Sequence, residues 1–569
     1  MVSLARVVED RPTPPQVYNW RVYFNAFAAT FAAVMMGYDS AFIGTSISLS
    51  SFKSEFGLDK LSTTELNVIS ANIVSTFQAG CFFGALFGYP IGYYWGRKYG
   101  LFFASIFFNV GSALQIAASF RTGLSIIYAG RVICGLAIGV ASNLAPIYVA
   151  EIAPPAIRGR LIGLYEFCWQ CGGVVGFWIN YGTTLHIPAG HKQWLIAFAV
   201  QLIPGGLLFI GSLLITESPR WLMSRDRESD ALKSLTYLRH LPPDAPYVQE
   251  ELSETREAIK HERSLAGAGF FGPIRTVCSS RKLLGRLALA SSLFAWQNAT
   301  GINAINYYSP TIFKSVGVSG GSSSLLTTGV YGLIKMAGAV IWLMYLIDTL
   351  GRRKLFIIGS IGGALSMYYI GAYIAIAQPA EHPTPTLSNG GKSAVAFFYI
   401  WTIFYSPTWN ASIWSIPSCP PPFHLPPPSS ICTPWVVSAE FFPQHVRTFT
   451  SACSAASNWL YTFIIARFTP QMFTSMGYGV YLFFASLMIC SIPFIFFLLP
   501  ETKRIPLEYM DDLFGADVKP WNAHRIVMAR VALDHANKQS VGRAERGMES
   551  SDGDSESKQV VEHREVGMR

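Results

Sequence analysis

Long runs of apolar residues restrict what this chain can fold into more than any other feature. A helix of about 20 predominantly apolar residues crosses a bilayer core about 30 Å thick. Only 14% of the residues are charged, against about 25% in an average soluble domain. This composition argues against a soluble enzyme, a nucleic-acid-binding protein and a secreted disulfide scaffold, and it predicts an all-α membrane protein. Twelve candidate runs, numbered below as the first to the twelfth span, are 22–47, 67–92, 101–120, 123–149, 161–182, 194–215, 286–309, 325–347, 355–377, 394–440, 451–470 and 478–499.

The spans form two groups of six with a charged stretch between them. We expect an N-terminal six-helix bundle at 22–215, a helical linker at 216–285 and a C-terminal six-helix bundle at 286–499. A short segment at 1–21 precedes them, and a polar, largely disordered tail at 500–569 follows them. Lys and Arg cluster in alternate loops and in the linker, so the positive-inside rule predicts that the linker and both termini are cytoplasmic.

Three motifs occur in both halves in the same order. Gly-Arg-Lys begins at Gly96 after the second span, and Gly-Arg-Arg begins at Gly351 after the eighth. A Glu closes the sixth span at Glu217 and the twelfth at Glu501. Internal duplication is typical of secondary transporters, whose substrate site lies between the repeats near the middle of the membrane. The third motif is a Glu with an Arg seven residues later, Glu151 with Arg158 and Glu440 with Arg447.

The tenth span is interrupted by seven prolines within residues 412–432. Proline removes backbone donors and prevents a continuous helix, and irregular backbone at membrane depth needs surrounding protein or water. Removing this stretch restores one ordinary span, which leads to the hypothesis that it is an unspliced intron in the gene sequence. The alternative is a genuine disordered extracellular or re-entrant insertion. Transcript reads that span codons 412–432 would exclude the intron.

Charged residues within the spans are functional candidates, because charge in the membrane is costly. Three are identified: Asp39 in the first span, Arg131 in the fourth and Lys335 in the eighth. Burial favours a protonated carboxyl group, whereas a nearby guanidinium favours the carboxylate. If Asp39 and Arg131 meet, they can couple transport to a proton, and the alternative is a static buried ion pair. Lys335 is interpreted either as a partner of a substrate carboxylate or as a lysine that is paired elsewhere or extends to the membrane surface.

Amide side chains are concentrated in the fifth and seventh spans. Amides donate to and accept from hydroxyl groups while aromatic rings cover the apolar face of a sugar, so this pattern fits a polyhydroxylated ligand. The alternative is hydrogen bonding between helices, worth about 1 kcal/mol per contact. In the seventh span, Gly301 and Pro310 predict a broken helix. The candidate residues are Gln170, Gln297, Asn298, Asn303, Asn306, Trp435 and Asn458.

Two further patterns are given a packing interpretation. Cys168 and Cys171 form a CxxC within an apolar run, but the nine cysteines follow no metal-ligand pattern. A glycine recurs at every fourth residue of the second span, which favours close helix packing. No cofactor, metal or enzymatic activity is therefore expected. The glycines are Gly80, Gly84, Gly88 and Gly92.

Taken together, the motifs resemble those of the sugar porter family of the major facilitator superfamily, over about residues 20–515. The first motif and the WQN sequence look most like the fungal quinate permease and sugar-acid branch. The resemblance implies the major facilitator fold, with two six-helix bundles. The motifs are GYDSAFIG, GRK, YVAEIAPPAIRGR, TESPRWL, WQNATGINAINYY, DTLGRRK, PWVVSAEFFPQHVR, SNW and PETKRIPLE.

The resemblance also implies roles for individual residues. Asp39 matches the first-helix carboxylate of proton-coupled members, and Arg131 matches its partner. Asn298 stands where many members have a second Gln, and Tyr93 replaces an Asp of the first GRK motif. The sugar-contacting positions match Gln170, Gln297, Asn303, Trp435 and Asn458. A cytoplasmic ion-pair network that would stabilise the outward-facing state matches Arg97, Glu151, Arg158, Glu217, Asp348, Arg352, Arg353, Glu440, Arg447 and Glu501.

The expected function is proton-coupled uptake of a monosaccharide or a sugar-like hydroxy acid, of the quinate or uronic acid class, across the plasma membrane. A contact between Lys335 and a substrate carboxylate would favour the acid over a neutral hexose. The alternatives are a passive sugar facilitator and a transporter-like nutrient sensor, which the length of the tail does not exclude. The expected partners are the solute, protons and the lipid bilayer, and the chain is expected to work as a monomer.

Overall fold

The computed structural model describes residues 13–118, 123–267, 269–318, 320–341, 351–379, 381–382, 387–410, 442–501, 505, 510–514 and 519–533. Within these residues the regular secondary structure is helical, and each of the twelve predicted spans contains helix. The predicted all-α fold class is therefore confirmed.

The first six spans pack into one bundle with the first span at its centre. Ala29, Ala32 and Ala33 of that span are fully buried, because small side chains let its neighbours approach closely. Gly80 of the second span lies against Gly135 of the fourth, as the glycine pattern predicts. The first five spans are helices Trp20–Ser48, Thr63–Tyr94, Gly96–Ile116, Ser125–Ile152 and Arg158–His186, and the sixth consists of His191–Val200 and Leu202–Leu214.

The linker folds into four helices, and the first three of them share an apolar core. Arg239, which is 1% exposed, fixes the linker to the first bundle. Its guanidinium donates to the Glu251 carboxylate at 2.8 and 2.6 Å and to the carbonyl of Ile152, at the end of the fourth span, at 2.9 Å. The linker therefore lies at the end of the bundle where the fourth span finishes. Its helices are Pro219–Ser224, Glu228–Arg239, Pro246–Ala266 and Gly272–Ser279.

The second six spans follow the same order, with two irregular helices. The seventh span breaks at Gly301, which has a φ of +85°, as predicted. The tenth span ends in a π-helical turn at Ser406–Asn410. Residues 412–432 and Glu440 lie outside the described residues. The helices are Arg281–Ala299 with Ile302–Ser315, then Gly321–Ile341, Arg352–Ala377, Asn389–Tyr405, Gln444–Met476 and Gly479–Leu498.

Eight of the described helices are long and apolar enough to cross a membrane by themselves. The fifth, seventh, tenth and eleventh spans are not among them. These four carry most of the amide and aromatic side chains described below. Polar residues on a spanning helix are tolerated where they face the interior of the bundle. The lower apolar character of the fifth, seventh and eleventh spans is therefore a sign of the surface that they enclose, whereas the tenth-span helix Asn389–Tyr405 has only 17 residues.

Residues Phe496–Arg569 form a second compact unit. Its described helices are Met510–Leu513 and 520–533. The second helix lies within the stretch for which disorder is expected. It is stabilised because its apolar residues follow one face and pack on Ile505 and Leu513. The residues on that face are Ala523, Val527 and Val531.

Candidate functional site

A polar cavity lies between the two halves, and residues of both halves line it. Its volume is about 70 Å³, which is smaller than the range of about 300–1,000 Å³ that is typical of small-molecule sites. Trp435, one of the predicted substrate residues, lies outside the described residues. The other seven all line this cavity: Gln170, Gln297, Asn298, Asn303, Asn306, Lys335 and Asn458.

One hydrogen-bonded cluster of polar side chains joins the seventh and eleventh spans. Asn298 Nδ2 donates to Asn458 Oδ1 at 3.3 Å, and Thr462 Oγ1 donates to Asn298 Oδ1 at 3.1 Å. Asn303 Nδ2 donates to Thr462 Oγ1 at 3.2 Å and also to Asn298 Oδ1. The break at Gly301 makes this possible, since it turns the second segment of the seventh span so that Asn303 faces Asn298. These amides therefore bond between helices and line the cavity at once.

Other polar contacts surround the cluster. Gln297 Nε2 donates to the carbonyl of Trp409 at 2.9 Å; that carbonyl belongs to the π-helical turn, a local geometry that is frequent at functional sites. The Tyr331 hydroxyl donates to Asn306 Oδ1 at 2.8 Å. Aromatic rings complete the wall and provide the apolar surface that a sugar ring requires. They belong to Trp169, Phe177, Tyr307, Tyr405 and Trp459.

Asp39 and Arg131 meet inside the first bundle, and neither is exposed. Arg131 Nη1 donates to Asp39 Oδ1, and Arg131 Nε donates to the carbonyl of Ile73 at 3.2 Å. Neither charged residue lines the cavity, but Ser40, which follows Asp39, does. The ion pair is therefore shielded from water and lies beside the cavity rather than within it.

Aromatic contacts connect this ion pair with the cavity wall. The guanidinium carbon of Arg131 lies 4.3 Å from the centroid of the Phe77 ring. Phe77 packs edge-to-face on Trp459, with 6.3 Å between the ring centroids. Trp459 lines the cavity, and its Nε1 donates to Ser142 Oγ at 3.3 Å. Because Trp459 belongs to the second half and Ser142 to the first, a movement of Arg131 would reach a contact between the halves.

Glu166 is a further charged residue within the spans and is absent from the three identified above. It lies in the fifth span, is 6% exposed, lines the cavity and accepts a hydrogen bond from Gln170 Nε2 at 2.7 Å. Lys335 lines the same cavity from the second half. The signal that identifies Glu166 is its position in the apolar run 161–182, which is the criterion used for Asp39.

The halves are in contact at the end of the cavity that lies away from the linker. A side chain at Gly44 of the first span would overlap the carbonyl of Tyr307 in the seventh. Trp178 Nε1 of the fifth span donates to the carbonyl of Gly329 in the eighth at 3.1 Å. The residues in these contacts lie in the parts of their helices that are farther from the linker, so the contacts close the cavity on that side.

A partly buried carboxylate caps the third span at the linker end. Arg97 N donates to Glu217 Oε1 at 3.0 Å, and Lys98 N donates to Glu217 Oε2 at 3.1 Å. These are backbone groups that the first turn of a helix leaves without partners, and a carboxylate also complements the positive end of the helix dipole. Gly96 has a φ of +90°, and a Cβ there would overlap the Glu217 carboxylate. The motif therefore requires glycine at this position, because a side chain would exclude the Glu217 carboxylate.

Burial and hydrogen bonding oppose each other at Glu217. Burial raises the pKa of Glu217, and the backbone N–H groups of Ser218 and Lys98 that donate to it limit the rise. The Arg97 side chain reaches Glu151, with 2.8 Å between Nη2 and Oε1. The first GRK motif is thus bound to both neighbouring acidic residues of its own half.

The remaining network candidates have separate surroundings. The charges that act on Arg158 belong to the linker residues Arg220, Glu251 and Arg239. Arg447 Nη2 donates to the carbonyl of Phe442 at 3.3 Å. Arg353 lies in the first turn of the ninth span, and Glu501 belongs to the second compact unit. Asp348, Glu440 and the side chain of Arg352 lie outside the described residues.

Tyr93, which stands where the resemblance implies an Asp, contacts the linker. The guanidinium carbon of Arg225 in the linker lies 3.9 Å from the centroid of the Tyr93 ring. Arg225 Nη2 also donates to the Tyr93 carbonyl, and Trp221 Nε1 donates to it at 3.1 Å. A cation–π contact therefore holds the linker to the end of the second span.

Comparisons with known proteins give a consistent result. A profile of the family described as "Sugar (and other) transporter" matches residues 25–422 and 428–514. A probable quinate permease of Aspergillus niger is 52% identical over 535 residues, which cover 94% of this chain and 95% of that relative. A quinate permease of Emericella nidulans is 53% identical over 525 residues, which cover 92% of this chain and 94% of that relative.

Two solved structures of the xylose transporter XylE from E. coli have the same fold. The partially occluded inward-open conformation matches with a TM-score of 0.67 at 22% identity, covering 85% of this chain and 99% of that one. The proton:xylose symporter bound to 6-bromo-6-deoxy-D-glucose also matches with a TM-score of 0.67, at 23% identity, covering 87% of this chain and 99% of that one.

Proposed function

Since the chain belongs to the sugar porter family of the major facilitator superfamily, we propose that it is a proton-coupled carrier of a sugar-like hydroxy acid. The class is that of quinate and the uronic acids, and the route is uptake across the plasma membrane with both termini and the linker in the cytoplasm. The observation that carries this proposal is the cavity between the halves, where amide groups and aromatic rings surround one lysine.

The cavity chemistry suits a ring that bears several hydroxyl groups and a carboxylate. Asn298, Asn303 and Asn458 can exchange their mutual hydrogen bonds for bonds to hydroxyl groups, so that no amide is left unsatisfied. Lys335 offers a cation to the carboxylate. Relatives that are about half identical to this chain are named quinate permeases, which supports an acid rather than a neutral hexose.

The Asp39–Arg131 pair is the proposed site of proton coupling. Protonation of Asp39 removes the charge that holds Arg131, which then keeps only the Ile73 carbonyl and the Phe77 ring among the contacts described above. Phe77 contacts Trp459 in the opposite half. Proton binding thereby changes a contact between the halves, which is the minimum that coupling requires.

Alternating access would open and close the two ends in turn. The contacts Gly44–Tyr307 and Trp178–Gly329 close the end away from the linker. At the linker end, a second cleft is lined by residues of the first half, by the linker and by His445 and Thr448 of the eleventh span. We assign the closed end to the exterior, so that this conformation is one in which the solute has no route outward.

Uptake in a yeast that lacks its own sugar transporters tests the proposal. Cells expressing the chain, with and without residues 412–432, are given labelled quinate, a uronic acid and a neutral hexose while the external pH is recorded. We expect quinate accumulation that rises as the medium is acidified, together with alkalinisation of the medium.

The selectivity is tested with Lys335→Met. We expect this variant to lose uptake of the acids and to retain uptake of neutral solutes, whereas Lys192→Met, at an exposed position outside the cavity, keeps both. No uptake of any of these compounds by either form of the chain would overturn the carrier assignment. Equal loss of acid and neutral uptake in Lys335→Met would overturn the role of the lysine.

A further inference from the structure

Glu166 and Lys335 face one cavity from opposite halves of the molecule. Glu166 is 6% exposed and lines the cavity from the fifth span, while Lys335 lines it from the eighth. Two opposite charges in a low-dielectric space largely neutralise each other, whereas either one alone would be costly to bury. In the empty cavity, the two together contribute no net charge.

Resting on the proposed function, we propose that Glu166 gives up Lys335 to the carboxylate of the substrate and takes a proton in exchange. The added substrate carboxylate brings a second negative charge beside the first. If Glu166 stayed ionised, the cavity would hold two carboxylates and one ammonium group, and like charges in one site are not both ionised when one of them can take a proton. A proton from water on Glu166 restores a net charge of zero.

Gln170 prepares Glu166 for this exchange. Its Nε2 donates to Glu166 Oε1 at 2.7 Å, so one carboxylate oxygen keeps its partner whether or not the group is protonated. The carboxyl group of Glu166 can therefore change its protonation state without losing this hydrogen bond. Because Gln170 is itself in the cavity wall, substrate contact and proton binding take place side by side.

The other charged and titratable groups near Glu166 do not replace Lys335. Asp39 and Arg131, from the first and fourth spans, are paired with each other and fully buried. Among the described residues, the other titratable side chains that line the cavity are the phenols of Tyr307 and Tyr405, which can donate hydrogen bonds but carry no positive charge. Two further phenols are Tyr165, beside Glu166 in the fifth span, and Tyr331 of the eighth span.

The exchange predicts that the number of protons depends on the charge of the solute. An acid would bring one proton to Glu166 in addition to any proton on Asp39, whereas a neutral solute leaves the opposite charges of Glu166 and Lys335 balanced within the cavity. The loaded carrier then has the same net charge with either solute. Glu166 would thus be the residue that lets one cavity accept an anion without adding a charge to the membrane interior.

Calorimetric titration of the purified full-length chain measures this proton directly. At pH 7 quinate is ionised, and binding in two buffers with different ionisation enthalpies gives the number of protons taken up per ligand. Quinamide, the uncharged amide of the same ring, is titrated in parallel. Subtracting the quinamide value removes the contribution of Asp39, and we expect a difference of about one proton in the unmodified chain.

The difference should disappear in Glu166→Gln, which keeps the size and a hydrogen-bond acceptor for Gln170. It should persist in Glu166→Asp and in Glu257→Gln, a matched change at an exposed linker residue. Asp39→Asn should also keep the difference in proton uptake between quinate and quinamide, although it loses concentrative uptake of the solute. A melting curve of each variant shows whether it is folded, and the comparison of quinate with quinamide in the unmodified chain still tests the exchange if Glu166→Gln does not fold.

Two results would overturn the exchange. One is equal proton uptake with quinate and quinamide in the unmodified chain, and the other is an undiminished difference in folded Glu166→Gln. In either case quinate still binds, so the proposed function would stand. If the unmodified chain neither binds nor transports quinate, it is the proposed function that fails.

Discussion

Replacing Asp39 by Asn separates driven accumulation from simple passage of the solute. Asp39 and Arg131 are both fully buried, so the proton site has no access to water in this conformation and must be reached by rearrangement. The Asn side chain has nearly the same shape but cannot bind and release a proton. We therefore expect the variant to exchange solute across the membrane and to lose concentrative uptake.

The expected magnitude follows from the driving force. One proton moving with a neutral solute carries one charge, worth about 2.3 kcal/mol per 100 mV of membrane potential. At about 1.4 kcal/mol for each factor of ten, this sustains a concentration ratio of about 40. In Asp39→Asn the ratio should fall to about one, because no charge accompanies the solute.

The assay uses proteoliposomes with an imposed potassium diffusion potential and a labelled neutral polyol, so that the charge of the solute does not enter. Asp59→Asn, at an exposed residue outside the bundle, is the matched control and should accumulate like the unmodified chain. Entry of labelled solute into vesicles preloaded with unlabelled solute measures exchange.

Stability has to be separated from coupling in this experiment. Removing one partner of a buried ion pair costs about 3–5 kcal/mol, and Asn lowers this cost only by the acceptor oxygen that it keeps. The double variant Asp39→Asn with Arg131→Met removes both charges and should unfold at a higher temperature than the single variant, still without accumulation. Accumulation by Asp39→Asn at the level of the unmodified chain would refute the reasoning, since the proton would then bind elsewhere.

Three further outcomes are expected. Gly44→Ala should reduce transport more than tenfold while quinate binding persists, because the added methyl group overlaps the Tyr307 carbonyl when the halves close. The control is Gly182→Ala, where nothing lies within 4 Å of the added methyl group. Normal transport by Gly44→Ala would contradict the closure contact. Gly96→Ala should destabilise the folded chain by about 1–3 kcal/mol through backbone strain at positive φ. The melting temperature of this variant is compared with that of Gly206→Ala. Equal melting temperatures would argue against the Glu217 cap. Deleting residues 412–432 should raise quinate uptake, because that stretch precedes Trp435 closely in the tenth span; equal uptake by both forms would contradict an intron origin.

Most of the fold could be predicted from local patterns. The apolar runs set the number of spans, and the repeated motifs at Gly96 and Gly351 set the division into halves. The similarity extends to backbone geometry, since both glycines have positive φ, +90° and +80°, at the start of a helix. The tail differs: the helix at 520–533 depends on packing with Ile505 and Leu513, which the polar composition of the tail conceals.

The candidate site was only partly predictable. The amides of the seventh span were identified because they are dense and because Gly301 breaks the helix. Glu166 was missed although its span is apolar, and its relation to Lys335 involves two residues in different halves. The motif identifies Tyr93 only as the replacement of an Asp, whereas the structure shows that its ring contacts Arg225 of the linker.

The sequence by itself determined the membrane spans, the duplication and the residue types available for binding, because these depend on composition and short-range periodicity. The tertiary structure decided which of those residues meet. Asp39 and Arg131 are 92 residues apart in the chain, and Arg97 and Glu217 are 120 apart. The energy of a buried charge depends on the partner that packing places beside it, and packing over such separations is a property of the whole bundle. The pairing of charges, and with it the chemistry of the cavity, therefore becomes visible only when the helices are assembled.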